Sequence, residues 1–188
     1  MGPTYWWNLQ ETFTGGWIRT LLTPNALKLV YHSLVGSKLR YGLICWATAA
    51  KFLKNKVNTA HNKIITLLSF KKRCSKMWPL YCSLKLLPLE IMIKIEYGKT
   101  MYKFNNNLLP EVFEGYFSQP SHQHKTRFSE QNNFAFTLTS TAKENNLLRY
   151  MGPHVWRRDV PMSIRNSMSL KVFIKSLRNH LIGNFVES

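Results

Sequence analysis

The sequence predicts a mainly α protein: a helical bundle, then an irregular segment that allows short strands, then a C-terminal helix. Three observations carry this. Apolar residues recur at helical spacing through several long stretches. Capping residues and Gly, Asn or Pro punctuate those stretches where helices start and stop. Over 188 residues, 45% apolar and 13% aromatic content supplies one ordinary core, or a small domain with an appendix, and excludes a disordered tail.

Thr23-Pro24 opens the first helix, with Thr as N-cap and Pro at the first helical position. Leu27, Val30, Tyr31 and Leu34 follow at i, i+3, i+4 and i+7, which makes one apolar face. Gly36-Ser37 is expected to bend or end it. Leu39 to Trp46 reads as a second, more buried helical piece. Lys51 to Ser69 is the next helix. Leu53, Val57, Ala60, Ile64, Leu67 and Leu68 fall on one stripe, with Lys56 and Lys63 on one flank and Lys54 and His61 on the other. A basic loop follows, Lys71-Lys72-Arg73 with Lys76 beyond. Pro79 and Pro88 punctuate a short apolar link.

Leu89 to Phe104 is the third long helix. Ile91, Ile95, Met101 and Tyr102 share a face, Gly98 admits a close neighbour, and Glu90 and Lys94 pair at i,i+4. Asn105-Asn106-Asn107 and Pro110 stop it. Ser118 to Asn133 is polar and reads as a loop or linker. Phe134 to Thr139 allows a short strand. Gly152-Pro153 and Pro161 are expected to bound a further loop that carries Trp156. Ser169 caps the last helix, Leu170, Phe173, Ile174, Leu177 and Leu181 form its apolar face, and Gly183 is expected to end it. The expected divisions are residues 1–20, unassigned; 21–110, the bundle; 111–161, a loop-rich linker region; and 162–188, a C-terminal amphipathic helix region.

Charge narrows the function. Twenty-six Lys and Arg face nine Asp and Glu, a formal net charge of +17. Such a chain is drawn to polyanions, either nucleic acid or an anionic membrane surface. Between Glu11 and Glu90 there is no acid, while the same block holds thirteen Lys and Arg, half of the total. A solvated structural surface normally mixes both signs, so an acid-free block repels itself unless an anion relieves it. Asp159 is the only aspartate, which excludes a two-metal polymerase or nuclease site built from this chain alone.

Cys45, Cys74 and Cys82 form no C-x-x-C pair, so a disulfide scaffold is not expected and a reducing compartment fits better. Met1 to Asn8 has no signal-peptide pattern, and no apolar stretch is long enough to span a bilayer. The expected location is intracellular, nuclear or cytoplasmic. Cys74, Cys82, His122 and His124 supply zinc-type ligands without zinc-type spacing, so no metal or other cofactor is expected in this chain.

From Leu29 onward the residues fall into a recognisable order. Leu29-Val30-Tyr31-His32-Ser33-Leu34-Val35, Leu39-Arg40-Tyr41-Gly42 and Trp46 come first. Ala60-His61-Asn62-Lys63 with Ile64-Ile65, then Leu84 to Leu89, continue it. Met101-Tyr102-Lys103 with Asn106 to Pro110, His124 to Arg127, Gly152-Pro153-His154-Val155-Trp156 with Pro161 and Ile164, and Phe173 to Leu181 complete it. Collinear over about Leu21 to Ile182, this series resembles the thumb and post-thumb region of reverse transcriptases from non-LTR, LINE-type (jockey-like) retrotransposons.

The resemblance implies a helical thumb that grips a template–primer duplex, with RNA, an RNA–DNA hybrid or DNA duplex as partner. The family's full-length polymerase would use Mg. The catalytic palm of that family, with its F/Y-x-D-D turn, is expected upstream of Thr20 and is not in this sequence. Arg157-Arg158-Asp159-Val160 also lengthens the usual spacing between Trp and Pro by one residue. A truncated or decayed element copy fits these departures, and so does a gene model that starts inside a longer reading frame.

The candidate nucleic-acid contacts are Lys54, Lys56, Lys63, Lys71, Lys72, Arg73, Lys76 and Trp78, with Lys171, Lys175 and Arg178 as a second set at i, i+4 and i+7. Trp46, Trp78 and Tyr81 interleave with these charges, core packing being the plain alternative for all three, and a solvated helix face is the alternative for Lys171, Lys175 and Arg178. No catalytic or metal-binding residue is assigned. Two other readings stay open: a basic protein that binds anionic membrane or acidic partners, and a relic without function.

Overall fold

Thr23 starts the first helix in the manner its side chain dictates. Its Oγ1 accepts the Ala26 N–H at 3.3 Å, and Pro24 takes the first helical position. The computed structural model describes residues 23–69, 77–117, 134–135, 141, 144 and 147–187. They form two compact units, Met1–Leu43 with Ala49–Leu89, and Ile44–Thr48 with Glu90–Ser188. The protein is mainly helical, and among the described residues no strand forms.

In the first unit, helix α1 (Pro24–Val30) runs into a π-helical stretch (Tyr31–Gly36) and then α2 (Ser37–Arg40). The buried row is Leu27, Tyr31, Val35, Leu39 and Leu43, one residue in every four. A straight α-helix rotates that spacing by about 40° per step, so the row would wind off the core. The wide turn takes in an extra residue and returns the row to one side. This corrects two expectations. Leu34 is exposed, because the π turn moves the face to Val35. Gly36-Ser37 neither bends nor ends the helix; Gly36 is helical at φ −61°, and the stop comes at Tyr41, extended, and Gly42, at φ +60°.

Helix α3 (Leu43–Trp46) follows that turn, so the piece expected from Leu39 to Trp46 is split in two. Helix α4 (Lys51–Leu68) buries His61, Ile64, Ile65 and Leu68. Its stripe is rotated from the one expected: Leu53 is exposed, Ala60 and Leu67 are half-buried, and His61 lies at the centre. Helix α5 (Trp78–Leu84) ends with Lys85 in the left-handed region at φ 55°. The Lys85 N–H donates to the Cys82 carbonyl and the Leu86 N–H to the Tyr81 carbonyl, both at 3.0 Å, which closes the helix end.

The second unit is organised around helix α6 (Leu89–Asn105), buried on most sides by Ile91, Met92, Ile95, Tyr97, Met101 and Tyr102. Glu90 and Lys94 pair at i,i+4, at 3.6 Å, and Lys94 also holds the partly buried Asp159 at 3.1 Å. The helix ends where the asparagines predict it. Asn107 is left-handed at φ 53°, and the Leu108 N–H donates to the Lys103 carbonyl at 2.8 Å.

Where a loop carrying Trp156 was expected, helix α7 (Leu148–Asp159) stands instead, with Pro153 in its interior. Packing outweighs the proline: Val155 and Trp156 are buried, and Gly152 lets the helix press on Met101. A Cβ on Gly152 would fall 2.7 Å from Met101 Sδ. Short α8 (Met162–Arg165) precedes α9 (Leu170–Glu187). Ser169 Oγ accepts the Val172 N–H at 3.3 Å, and Phe173, Leu177 and Leu181 are buried as expected. Gly183 does not end α9; the helix runs through it, exposed, to Glu187.

Gly98 admits a close neighbour: a Cβ there would fall 2.6 Å from Leu177 Cδ2. Of the strand expected over Phe134 to Thr139, only Phe134 and Ala135 are described, and neither is extended in a sheet. Phe134 is instead a core ring, set among Phe104, Phe117 and Trp156.

Candidate nucleic-acid interface

The described residues of the first unit include Lys28, Lys38, Arg40, Lys51, Lys54, Lys56, Lys63 and Lys85, eight cations, and no Asp or Glu. Those of the second unit include ten Lys and Arg against seven acids. The ion pairs Lys94–Glu90, Lys94–Asp159 and Lys99–Glu96 all lie in the second unit. The first unit therefore presents nearly unmixed positive charge, which attracts polyanions and raises their local concentration.

On α4 the expected cations separate by side. Lys56 is exposed and Lys63 half-buried; seven residues apart, they share the side opposite the buried stripe. Lys54, half-buried, lies on the His61 side. Lys56 Nζ stands 5.6 Å from the centroid of the exposed Phe52 ring, a cation–π contact one turn apart. Lys71, Lys72, Arg73 and Lys76 lie outside the described residues. Trp78 is half-buried at the first position of α5. In the second unit Lys171, Lys175 and Arg178 are all exposed, on one line along α9, away from Phe173 and Leu177.

Of the interleaved aromatics, Trp46 is half-buried and Tyr81 is not available to a ligand. Tyr81 is buried, and its hydroxyl donates to Asn62 Oδ1 at 2.6 Å. Toward His61 Nδ1, at 3.2 Å, its oxygen then accepts, so Nδ1 carries the ring proton. His61 Nε2 is left to accept from the Tyr31 hydroxyl at 2.6 Å. Burial holds the His61 pKa down at about 4, and pushes the Tyr31 hydroxyl up to about 12 against a smaller opposing pull from Arg40. Both His61 nitrogens are engaged away from solvent, so this chain of hydrogen bonds joins helices and offers no acid or base to a substrate. In the sequence His61 stands on the flank of the apolar stripe, beside Lys54, and nothing local marks it as buried.

Of the four zinc-type residues, Cys82 is exposed and unpaired, while Cys74, His122 and His124 lie outside the described residues. No described helix is long and apolar enough to cross a membrane. The aromatics that sequence reasoning missed are Tyr41 and Phe52, 87% and 60% exposed. For Phe52 the signal was its place off the apolar stripe, one turn before Lys56.

No family model, no curated protein and no solved structure matches this chain. The reading of its surface therefore stands on charge, exposure and geometry.

Proposed function

We propose that this chain is a basic helical module that binds nucleic acid, a fragment of a non-LTR retrotransposon reverse transcriptase that has the thumb-like part and lacks the catalytic palm. One observation carries the binding: eight cations and no acid among the described residues of the first unit. Lysine and arginine on phosphates release counterions, giving affinity without sequence readout and a steep salt dependence. The parentage rests on the collinear motifs alone.

The apolar faces of α4 and α9 favour nucleic acid over an anionic membrane. An interfacial helix keeps its apolar face free for lipid, whereas Ile64, Ile65 and Leu68, and Phe173, Leu177 and Leu181, are buried. Asp159, the only aspartate, is held by Lys94, and binding rather than metal-assisted chemistry suits this residue set.

The test is fluorescence anisotropy with labelled RNA–DNA hybrid and DNA duplex between 50 and 200 mM salt, beside flotation on anionic vesicles. Affinity is expected to fall steeply with salt, and Lys71→Glu, Lys72→Glu and Arg73→Glu together to weaken binding to all sequences alike. Tight binding that ignores ionic strength, or flotation without nucleic-acid binding, would sink the proposal. Parentage is tested by translating the transcript upstream of the Met1 codon. A palm with paired aspartates upstream, in frame or in broken frames, supports it, and unrelated frames overturn it.

A further inference from the structure

We propose that the first unit also takes unpaired nucleotides, stacking their bases on Tyr41 and Phe52 while neighbouring cations hold the phosphates. The inference rests on the nucleic-acid reading above and adds to it a preference for exposed bases.

Among the described residues, Tyr41 and Phe52 are the exposed aromatics, and both belong to the unit whose described residues include no Asp or Glu. In the second unit Phe117, Phe134, Trp156 and Phe173 are buried, and rings such as Phe113, Tyr116 and Tyr150 are half-buried. A single exposed apolar side chain is ordinary. Two rings exposed only in the unit whose described residues lack acids, Phe52 with Lys56 against its ring and Tyr41 next to Arg40 in the chain, are a particular combination.

Phe52 lies on the outward side of α4, away from His61, Ile64, Ile65 and Leu68. Lys56, one turn further on, places its ammonium 5.6 Å from the ring centroid. A base stacked on the solvent-facing part of that ring has its phosphate within the sweep of the same lysine, and Lys63 lies along the same side of the helix. Tyr41 stands in the turn after α2, extended, between the exposed Arg40 and Gly42 at φ +60°. It too is an open ring with a guanidinium adjacent in the chain.

A π face for the base, a cation for the phosphate and no anion nearby are the elements that recognise single-stranded nucleic acid without sequence preference. A continuous duplex keeps its bases stacked on one another and offers these rings little. An unpaired strand, or the overhang of a template–primer junction, offers free faces.

The experiment compares the full chain on three fluorescein-labelled probes: a single strand, a blunt duplex, and the same duplex with a ten-nucleotide overhang. The variants are Tyr41→Ala, Phe52→Ala, the double substitution, and Phe52→Trp. Both positions are exposed, and circular dichroism checks that each variant folds. Each alanine is expected to weaken single-strand and overhang binding by about fivefold to a hundredfold, with the blunt-duplex affinity and every salt slope unchanged. Phe52→Trp is expected to retain binding, with tryptophan quenching by the single strand in excess of that of the parent chain's six tryptophans, and with no such excess on the blunt duplex. Single-strand affinity within twofold of the parent in the double variant overturns the inference, as does an equal loss on all three probes. If the parent chain binds none of them, the underlying nucleic-acid reading fails with it. If it binds all three and the alanines change nothing, only the stacking fails.

Discussion

The Tyr31 hydroxyl donates to His61 Nε2 across 2.6 Å and thirty residues of sequence, and so joins the π turn to helix α4. Tyr81 on α5 closes the other side of the ring, and Asn62 takes the last proton of the chain. Three helical segments meet on one imidazole. A leucine at position 61 would fill the site without fixing which residues face it. The ring's two nitrogens do fix that, because each has a different partner and only one tautomer serves both.

The first prediction concerns pH. His61 titrates at about 4 in the fold against 6.5 in an unfolded chain. The unfolded state therefore binds more protons between those values, and stability falls with acid. The contribution is fully present above pH 6.5 and is lost progressively as pH drops toward 4, amounting to on the order of 3 kcal/mol. Urea unfolding from pH 7.5 to 4 measures it. His61→Leu is expected to flatten that limb at the cost of about 1–3 kcal/mol at pH 7, because the Tyr31 hydroxyl loses its partner in the core. Adding Tyr31→Phe is expected to recover part of the loss. An unchanged acid limb in His61→Leu would assign the effect to other groups.

Arg165 supplies the second prediction. It is buried, its Nε donates to the Val160 carbonyl at 2.9 Å, and one Nη donates to the Trp156 carbonyl at 2.7 Å. Its guanidinium carbon lies 5.3 Å from the Trp156 ring centroid. The side chain thus closes the C-terminal end of α7 and stacks on its central ring. A lysine has one point of attachment where this site uses a planar fork. Arg165→Lys is expected to cost about 1–3 kcal/mol, and Arg165→Met more, since the carbonyls then lose their donor. Amide exchange should quicken at residues 156–160, with no change in the acid limb that His61 controls.

Three glycines give a graded third prediction. Alanine at a helical glycine gains about 1 kcal/mol of propensity where space allows. At Gly183 nothing lies within 4 Å of the new methyl, so Gly183→Ala is expected to stabilise. At Gly98 the methyl meets Leu177 at 2.6 Å, and Leu177 is itself fully buried. Overpacking of about 1–3 kcal/mol should outweigh the gain, and Leu177→Val should restore part of it. Gly152→Ala meets the flexible end of Met101 and should fall between the two. Thermal midpoints rank the three, and any other order counts against the packing described.

What the sequence made legible was local. The Thr23 and Ser169 caps, the asparagine stop after α6 and the Glu90–Lys94 pair each follow from neighbours along one helix. What it hid was set by distant partners. His61 looks like a flanking polar residue until Tyr31 and Tyr81 are placed on its nitrogens. Gly152-Pro153 looks like a loop until Met101 and Phe117 are set against it. Leu34 misses the core because one wide turn shifts the face by a residue. The candidate surface divides the same way. That Lys56 and Lys63 share a side of α4 is periodicity, whereas the burial of Tyr81 and the exposure of Tyr41 are tertiary facts.

The last prediction uses the backbone at two helix ends. Lys85 and Asn107 both hold left-handed conformations, at φ 55° and 53°, and both close a helix with the same pair of backbone hydrogen bonds. A side chain with a Cβ strains there by about 1 kcal/mol, asparagine less than lysine. Lys85→Gly should therefore stabilise by up to about 1 kcal/mol, partly offset by the greater freedom glycine gives the unfolded chain. Asn107→Gly should gain less. Removing Lys85 also removes a charge from a unit whose described residues include no acid, so Lys85→Gln separates the two effects: it loses the charge and keeps the strain. If Lys85→Gln stabilises as much as Lys85→Gly in urea unfolding, repulsion and not the backbone is the cause. If only the glycine variant gains, the left-handed lysine is what the helix end tolerates.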